Sequence, residues 1–184
     1  KGVVANVGLQ LTPDLETRFY LRYRETEHQS PGRLTQSQID DDPTQANPAN
    51  IARDAKREQP GSTWLANKTT LRLDDVSTLE MGLVYHHYPM DLMESPYRIR
   101  VDYSDISATL NYKHEHQLFG LNSNTTVGWR TTTNLPSSDS KETAYQPLNA
   151  NGTVYPVGTL MRKYEHQGSD NVLHISNQLE LAPR

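Results

Sequence analysis

Apolar and polar residues alternate with period two along most of this chain. The alternation is strict from Thr17: Thr17, Phe19, Leu21 and Tyr23 share one side, and Arg18, Tyr20, Arg22 and Arg24 the other. Successive side chains of a strand point to opposite faces, so this stretch predicts a strand with one apolar and one cationic face, continuing towards His28. Before it, Val3, Ala5, Val7, Leu9 and Leu11 form an apolar set opposite Val4, Asn6, Gly8 and Gln10. Thr12-Pro13-Asp14-Leu15 joins the two as a tight turn, with Pro pre-setting φ and Asp bonding locally. A third strand is expected from Thr63 to Leu73, its apolar set Leu65, Leu71 and Leu73 interrupted by Asn67. Asp74 to Ser77 is a second tight turn. A fourth strand carries Leu79, Met81, Leu83, Tyr85 and His87 on one side, and a medium loop spans Pro89 to Pro96.

The fifth strand begins near Tyr97. Val101 and Tyr103 have one parity and Ile106, Ala108, Leu110 and Tyr112 the other, which predicts a β-bulge near Ser104-Asp105. Lys113 to Asn124 reads as a connection. A sixth strand follows around Val127 and Trp129, and a last one carries Leu173, Ile175, Leu179 and Leu181. Two long polar stretches, 29–61 and 134–170, lack this periodicity. A short helix within Asn47–Arg57 and a short strand or hairpin at Thr153–Val157 are expected inside them. The total is about seven strands, most about 9–12 residues long, near the length that crosses a bilayer at a tilt. Connections run short, long, short, medium, short, long. Such sorting places all odd turns at one end, as in outer-membrane barrels, where turns are short on one side and loops long on the other. The expected fold class is therefore all-β, with antiparallel up-and-down strands forming part of a transmembrane β-barrel.

Composition narrows the alternatives. The chain has 184 residues, a formal net charge of -4 and no cysteine. That excludes a disulfide framework or cysteine-ligated metal and gives no electrostatic case for nucleic acid. No apolar run reaches the roughly 18 residues that a membrane helix needs. Low average hydrophobicity is compatible with a barrel, where only every second residue faces lipid. Both ends read as cut from something longer.

Certain segments resemble a known family. Val4-Ala-Asn-Val-Gly-Leu-Gln-Leu-Thr-Pro-Asp-Leu-Glu-Thr-Arg-Phe-Tyr-Leu21 is similar to a strand–turn–strand of TonB-dependent outer-membrane receptors. Pro31-Gly-Arg-Leu-Thr35 followed by Asp42-Pro-Thr-Gln-Ala-Asn-Pro-Ala-Asn50 resembles segments of a long extracellular loop in the siderophore-receptor branch, and Leu65-Ala-Asn-Lys-Thr-Thr70 with the turn after it resembles the next strand of the same barrels. The resemblance implies a 22-stranded barrel with an N-terminal plug, of which this chain holds about seven strands without the plug. It also implies a bacterial outer-membrane location and a ferric siderophore as transported ligand. TonB would be engaged through a plug segment outside this chain, and outer-membrane lipid would surround it. A passive porin and a soluble β-sandwich adhesin or binding module are the alternatives.

Within that frame the upper-rim ligand candidates are Arg24, His28, Trp64, His86, Tyr88, Tyr97, Arg98 and Arg100. The row Arg18, Arg22, Arg24, Lys68, Arg72 and Arg130 either attracts an anionic ferric chelate or pairs with acids across the interior. His86-His-Tyr-Pro-Met-Asp-Leu-Met93 has ligand types suited to copper or haem iron. Its two histidines, however, project to opposite faces, so an aromatic belt is the competing reading. His114 and His116 share a face beside a short turn. Asp40-Asp-Asp42 reads as a solvated acidic run or an oxygen-ligand site. No nucleophile triad, paired-carboxylate site or phosphate loop stands out, so no catalytic residue, metal site or cofactor is assigned and an enzyme is not expected.

Overall fold

A computed structural model describes residues 1–94 and 96–181. The chain is all-β, built on one antiparallel up-and-down sheet. Its strands are β1 (Gly2–Thr12), β2 (Leu15–Gln29), β3 (Lys56–Arg72), β4 (Ser77–Glu94), β5 (Tyr97–Leu118), β6 (Leu121–Asn134), β7 (Asp139–Ala144), β10 (Leu160–Glu165) and β11 (Ser169–Leu179). They lie in the order β1-β2-β3-β4-β5-β6-β11, with β7 continuing the line of β6 beside β5, and β10 paired to β7. β8 (Leu148–Ala150) and β9 (Thr153–Tyr155) form a separate small hairpin. The sheet is open, with β1 and β11 at its edges. Among the described residues no helix is long and apolar enough to cross a membrane, which leaves strands untested.

Several strands run further than the alternation predicts. The medium loop expected at Pro89–Pro96 is strand as far as Glu94, and the connection expected at Lys113–Asn124 is strand on both sides of a Phe119-Gly120 turn. Pro89 is tolerated because it lies opposite a bulge: β3 and β4 lose register between Glu58 and Thr63, so no ladder partner needs its missing N–H. The bulge expected on β5 is on its neighbours instead. The β4–β5 ladder is unbroken from Ser77↔His114 to Glu94↔Tyr97, while β5 passes from β7 (Asp102↔Asp139) to β6 (Asp105↔Asn134) across the kinked segment 135–138. Ser138 is fully buried there, donating from Oγ to the Ser104 carbonyl at 2.7 Å. The parity change in the sequence therefore marks a change in which face is apolar, not a slip of the backbone.

The excursion expected at 29–61 shortens to 30–55 and holds two helices, α1 (Gln36–Asp41) and α2 (Pro48–Ala52). α2 falls within the predicted window. α1 was not expected; it opens on a capping box, in which Thr35 Oγ1 accepts from the Gln38 N–H and the Gln38 side chain reaches back to the Thr35 N–H. The second long stretch is not a loop: it holds β7, the β8–β9 hairpin expected near Thr153, and β10.

One face of the sheet is apolar, and none of the described residues covers it. Among the described residues only Ala55 and Ala144 are buried hydrophobics, whereas Phe19, Leu83, Ile175 and many others on that face are exposed. The sheet has one layer and no core of its own. On this face the outward positions are mostly apolar over about nine residues of each strand: 3–11, 15–23, 65–73, 77–85, 106–114, 121–129 and 173–181, with 73 and 180–181 just past the ends of β3 and β11. These stretches do not lie level. Val3 and Tyr23 are cross-strand partners at the upper edge; Leu65, Tyr85 and Ile106 are partners one row lower; Trp129 and Leu173 are partners two rows lower still. A drop of six residues, about 20 Å, over six strand spacings, about 29 Å, slants the band by about 35°.

Polar residues inside this band bond to one another. Thr17 Oγ1 and Thr69 Oγ1 are 2.9 Å apart, Asn67 Nδ2 donates to Thr17 Oγ1 at 2.8 Å, and Thr69 Oγ1 donates to Asn67 Oδ1 at 3.0 Å. Asn177 Nδ2 is within 2.7 Å of Ser123 Oγ and 2.8 Å of Thr125 Oγ1. Ser77 Oγ and His114 Nδ1 are 3.1 Å apart.

Candidate functional site

The opposite face is polar and charged. In its middle, Glu80 takes Lys68 at 3.2 Å and Lys113 at 3.0 Å from the strands on either side. Arg18 pairs with Glu16 at 3.3 Å and Arg130 with Asp170 at 3.7 Å. Arg18, Lys68 and Arg130 of the predicted basic row therefore meet acids of the same sheet. Gly82 and Gly128 lie among them because a Cβ there would strike Thr109, or His174 and Asn111.

Towards the long-loop end the character changes to aromatic and imidazole groups. Arg22, Trp64, His86 and Asp105 are successive cross-strand partners in one row. The Arg22 guanidinium sits 6.0 Å from the Trp64 ring centroid, a cation–π arrangement. Tyr20 tilts against Trp64 at 6.3 Å. His86 Nδ1 is 3.5 Å from Asp105 Oδ2, and the His86 ring is 5.8 Å from Tyr88. Tyr88 is held by the Gln59 amide, itself taking the Thr26 hydroxyl at 3.1 Å, and is the cross-strand partner of Tyr103. Tyr103 meets His166 edge-on at 6.1 Å, and His166 Nε2 is 3.1 Å from Ser140 Oγ. Tyr20, Trp64, His86, Tyr88, Tyr103 and His166 thus form one strip along the polar face.

Of the eight predicted residues, Trp64, His86 and Tyr88 are brought together in this strip. Arg24 is one row beyond Trp64, opposite Ser62, and His28 is four residues further along β2, opposite Arg57. Tyr97 lies on the same face at the tip of β5, where it lines a cavity of about 440 Å³ with Arg33, Arg53, Asn47 and Asn50. The first excursion is therefore folded over the polar face, and Tyr145 Oη pins it by donating to the Arg53 carbonyl at 2.6 Å.

Arg98 and Arg100 are on the other face. Arg98 grips Asp91 through Nε and Nη2 at 2.8 and 2.6 Å, and Arg100 Nε reaches the same carboxylate at 3.1 Å. Burial alone pushes the Asp91 carboxyl up, but the two guanidinium groups outweigh it and hold the carboxyl below its ordinary value. These two arginines fasten the β4–β5 tip and do not join the strip. His87 also faces away, 2.9 Å from Ser104 Oγ, so the two adjacent histidines project to opposite faces as the alternation predicts. No group of three or more metal-ligating side chains occurs among the described residues. Asp42, in the acidic run, is held low by the Thr44 hydroxyl and N–H rather than arranged around a cation.

Sequence reasoning missed Tyr20, Asp105, Tyr103 and His166. Plain alternation puts Tyr103 in phase with Asp105, and the bulge expected at Ser104-Asp105 hid that signal. His166 lies past β10 in a stretch with no periodicity, and nothing local marks it. Neither a scan against protein-family models nor a search of curated proteins finds a match for this chain.

Proposed function

We propose that this chain is a section of a transmembrane β-barrel of the bacterial outer membrane, belonging to a TonB-dependent receptor that imports a ferric siderophore. The observation that carries the membrane part is the slanted apolar band. Its nine-residue stretches match the length of a tilted membrane strand, and a slant of about 35° matches the usual tilt of about 35–45°. Two further features support it. The sheet has no second layer to cover that face, so lipid supplies the apolar partner. The polar residues within the band satisfy one another, as groups facing hydrocarbon must. β1 and β11 then pair with further strands of the same barrel, and the polar face lines its interior.

The resemblance of the first third of the chain supports the receptor part, and the strip supports the cargo. Aromatic rings, imidazoles and a guanidinium at the long-loop end of the interior suit an anionic, ring-bearing iron chelate. The test is titration of the detergent-solubilised intact protein with ferric siderophores, read by quenching of tryptophan fluorescence. Saturable binding that weakens several-fold in Trp64→Phe and His86→Gln, with uptake in cells abolished by dissipating the proton gradient, is the expected result. Ion conductance without saturable binding would instead mean a passive porin.

A further inference from the structure

The short-turn end of the apolar face carries a second constellation. Tyr112, His114 and His116 follow one another on β5, their rings nearly parallel: 6.2 Å and 10° for the first pair, 5.6 Å and 8° for the second. Their cross-strand partners on β6 are Val127, Thr125 and Ser123. Both Nδ1 atoms are engaged. Tyr112 Oη donates to Ser77 Oγ at 3.2 Å, and Ser77 Oγ lies 3.1 Å from His114 Nδ1. His116 Nδ1 is 3.2 Å from the His114 carbonyl, which can only accept, so that nitrogen carries the proton. The imidazole edges left to meet a ligand are the two Nε2 atoms. With Ser77 donating to Nδ1, His114 presents an Nε2 donor even when neutral. His116 presents one only after it is protonated.

Position decides what meets them. On the membrane reading, on which this inference rests, His114 ends the nine-residue span of β5 and His116 lies one row beyond it. That is the level where hydrocarbon gives way to headgroups. We infer that His114 and His116 form a headgroup site for the phosphate of a phospholipid in the leaflet on the short-turn side. The charge is complementary, and Tyr112 continues the site upward into the apolar band that the acyl chains of the same lipid cover. The groups around the two imidazoles are the Tyr112 and Ser77 hydroxyls, Ser123, Thr125 and the Asp74 carboxylate in the adjoining turn, close enough to feel the charge on His114, together with Glu115 on β5 and Glu180 past β11, which line the same cavity as His116 and whose negative potential holds off any anion until the imidazoles are charged. A protonated pair therefore binds phosphate better than a neutral one.

Native mass spectrometry of the intact protein, loaded with phosphatidylglycerol or with diacylglycerol at about pH 5.5 and about pH 8, tests this by comparing an acidic with a mildly alkaline solution. Retention of phosphatidylglycerol is expected to be about tenfold stronger at the lower pH, the effect of one charge-assisted hydrogen bond, with diacylglycerol indifferent to pH. The double variant H114Q/H116Q, checked for unchanged circular dichroism, should lose that preference, and H116Q alone should lose the acid-dependent part. Retention insensitive to both variants overturns the inference, as does displacement of the lipid by excess inorganic phosphate, which would make the site one for a free anion. Failure to retain either lipid would instead overturn the membrane reading itself.

Discussion

Thr17, Asn67 and Thr69 lie near the middle of the apolar band, and their side chains bond only among themselves and to one backbone carbonyl. Thr17→Val removes an acceptor for the Asn67 amide and a partner for Thr69 while keeping the shape. The amide is left with the Arg18 carbonyl at 3.3 Å, an atom already engaged in the ladder. On the proposed membrane reading these bonds lie within a bilayer, where side-chain hydrogen bonds average about 0.6 kcal/mol and reach about 1.7, so losing two should cost about 1–2 kcal/mol. Asn67→Leu removes the group that needed satisfying; Thr17 and Thr69 keep each other at 2.9 Å, and an apolar side chain meets the apolar surroundings. That variant should be neutral or stabilising. In the double variant Thr17→Val should cost only the single Thr17–Thr69 bond, leaving a coupling of about 0.5–1 kcal/mol. The assay is equilibrium urea unfolding of the intact protein from phospholipid vesicles, followed by tryptophan fluorescence. Effects that add within about 0.3 kcal/mol would refute the reasoning, because the three side chains would then not act as one unit.

Three other outcomes follow from the same geometry. Asp91 titrates below its ordinary value, so its contribution is present above about pH 3.9 and is lost as pH falls through the folded-state value; Asp91→Asn should remove that acid-side dependence of the unfolding midpoint. Arg in place of Met81, at the centre of the β4 span, should destabilise by about 2–4 kcal/mol in vesicles, whereas Thr70→Arg, between Glu16 and Glu80 on the polar face, should be tolerated; equal effects would contradict the assignment of faces. Gly120 has φ +79° and nothing within 4 Å of an added Cβ, so Gly120→Ala should cost about 1 kcal/mol through backbone strain alone, read by the same urea assay.

The strands were legible because their spans obey one rule, alternation, over nine positions each. What lay beyond the spans was not. Past His87 and Ser104 the apolar face turns polar while the opposite one gains Tyr88, Val101 and Tyr103, so the pattern inverts without the backbone slipping. A one-dimensional reading has only a bulge to offer there. Pro89 looked like a strand terminator because its tolerance depends on a register shift in β3, about thirty residues away. Trp64, His86 and Tyr88 could be grouped because pairing of neighbouring strands follows from their spans. Arg98 and Arg100 could not be separated from them, since their face depends on the unbroken β4–β5 ladder and their partner Asp91 sits in a stretch that read as loop.

These 184 residues hold no cysteine, so in an intact protein cleared of any cysteine elsewhere the most direct test is simple. Single cysteines introduced one at a time from residue 77 to 85, in the intact protein reconstituted into vesicles, are labelled with a fluorophore and exposed to a lipid-borne quencher and a water-soluble one. The account predicts strict alternation: residues 79, 81 and 83 quenched from the lipid, residues 80, 82 and 84 from the aqueous interior. Odd positions shielded from both quenchers would mean that another protein layer, and not a bilayer, covers the apolar face.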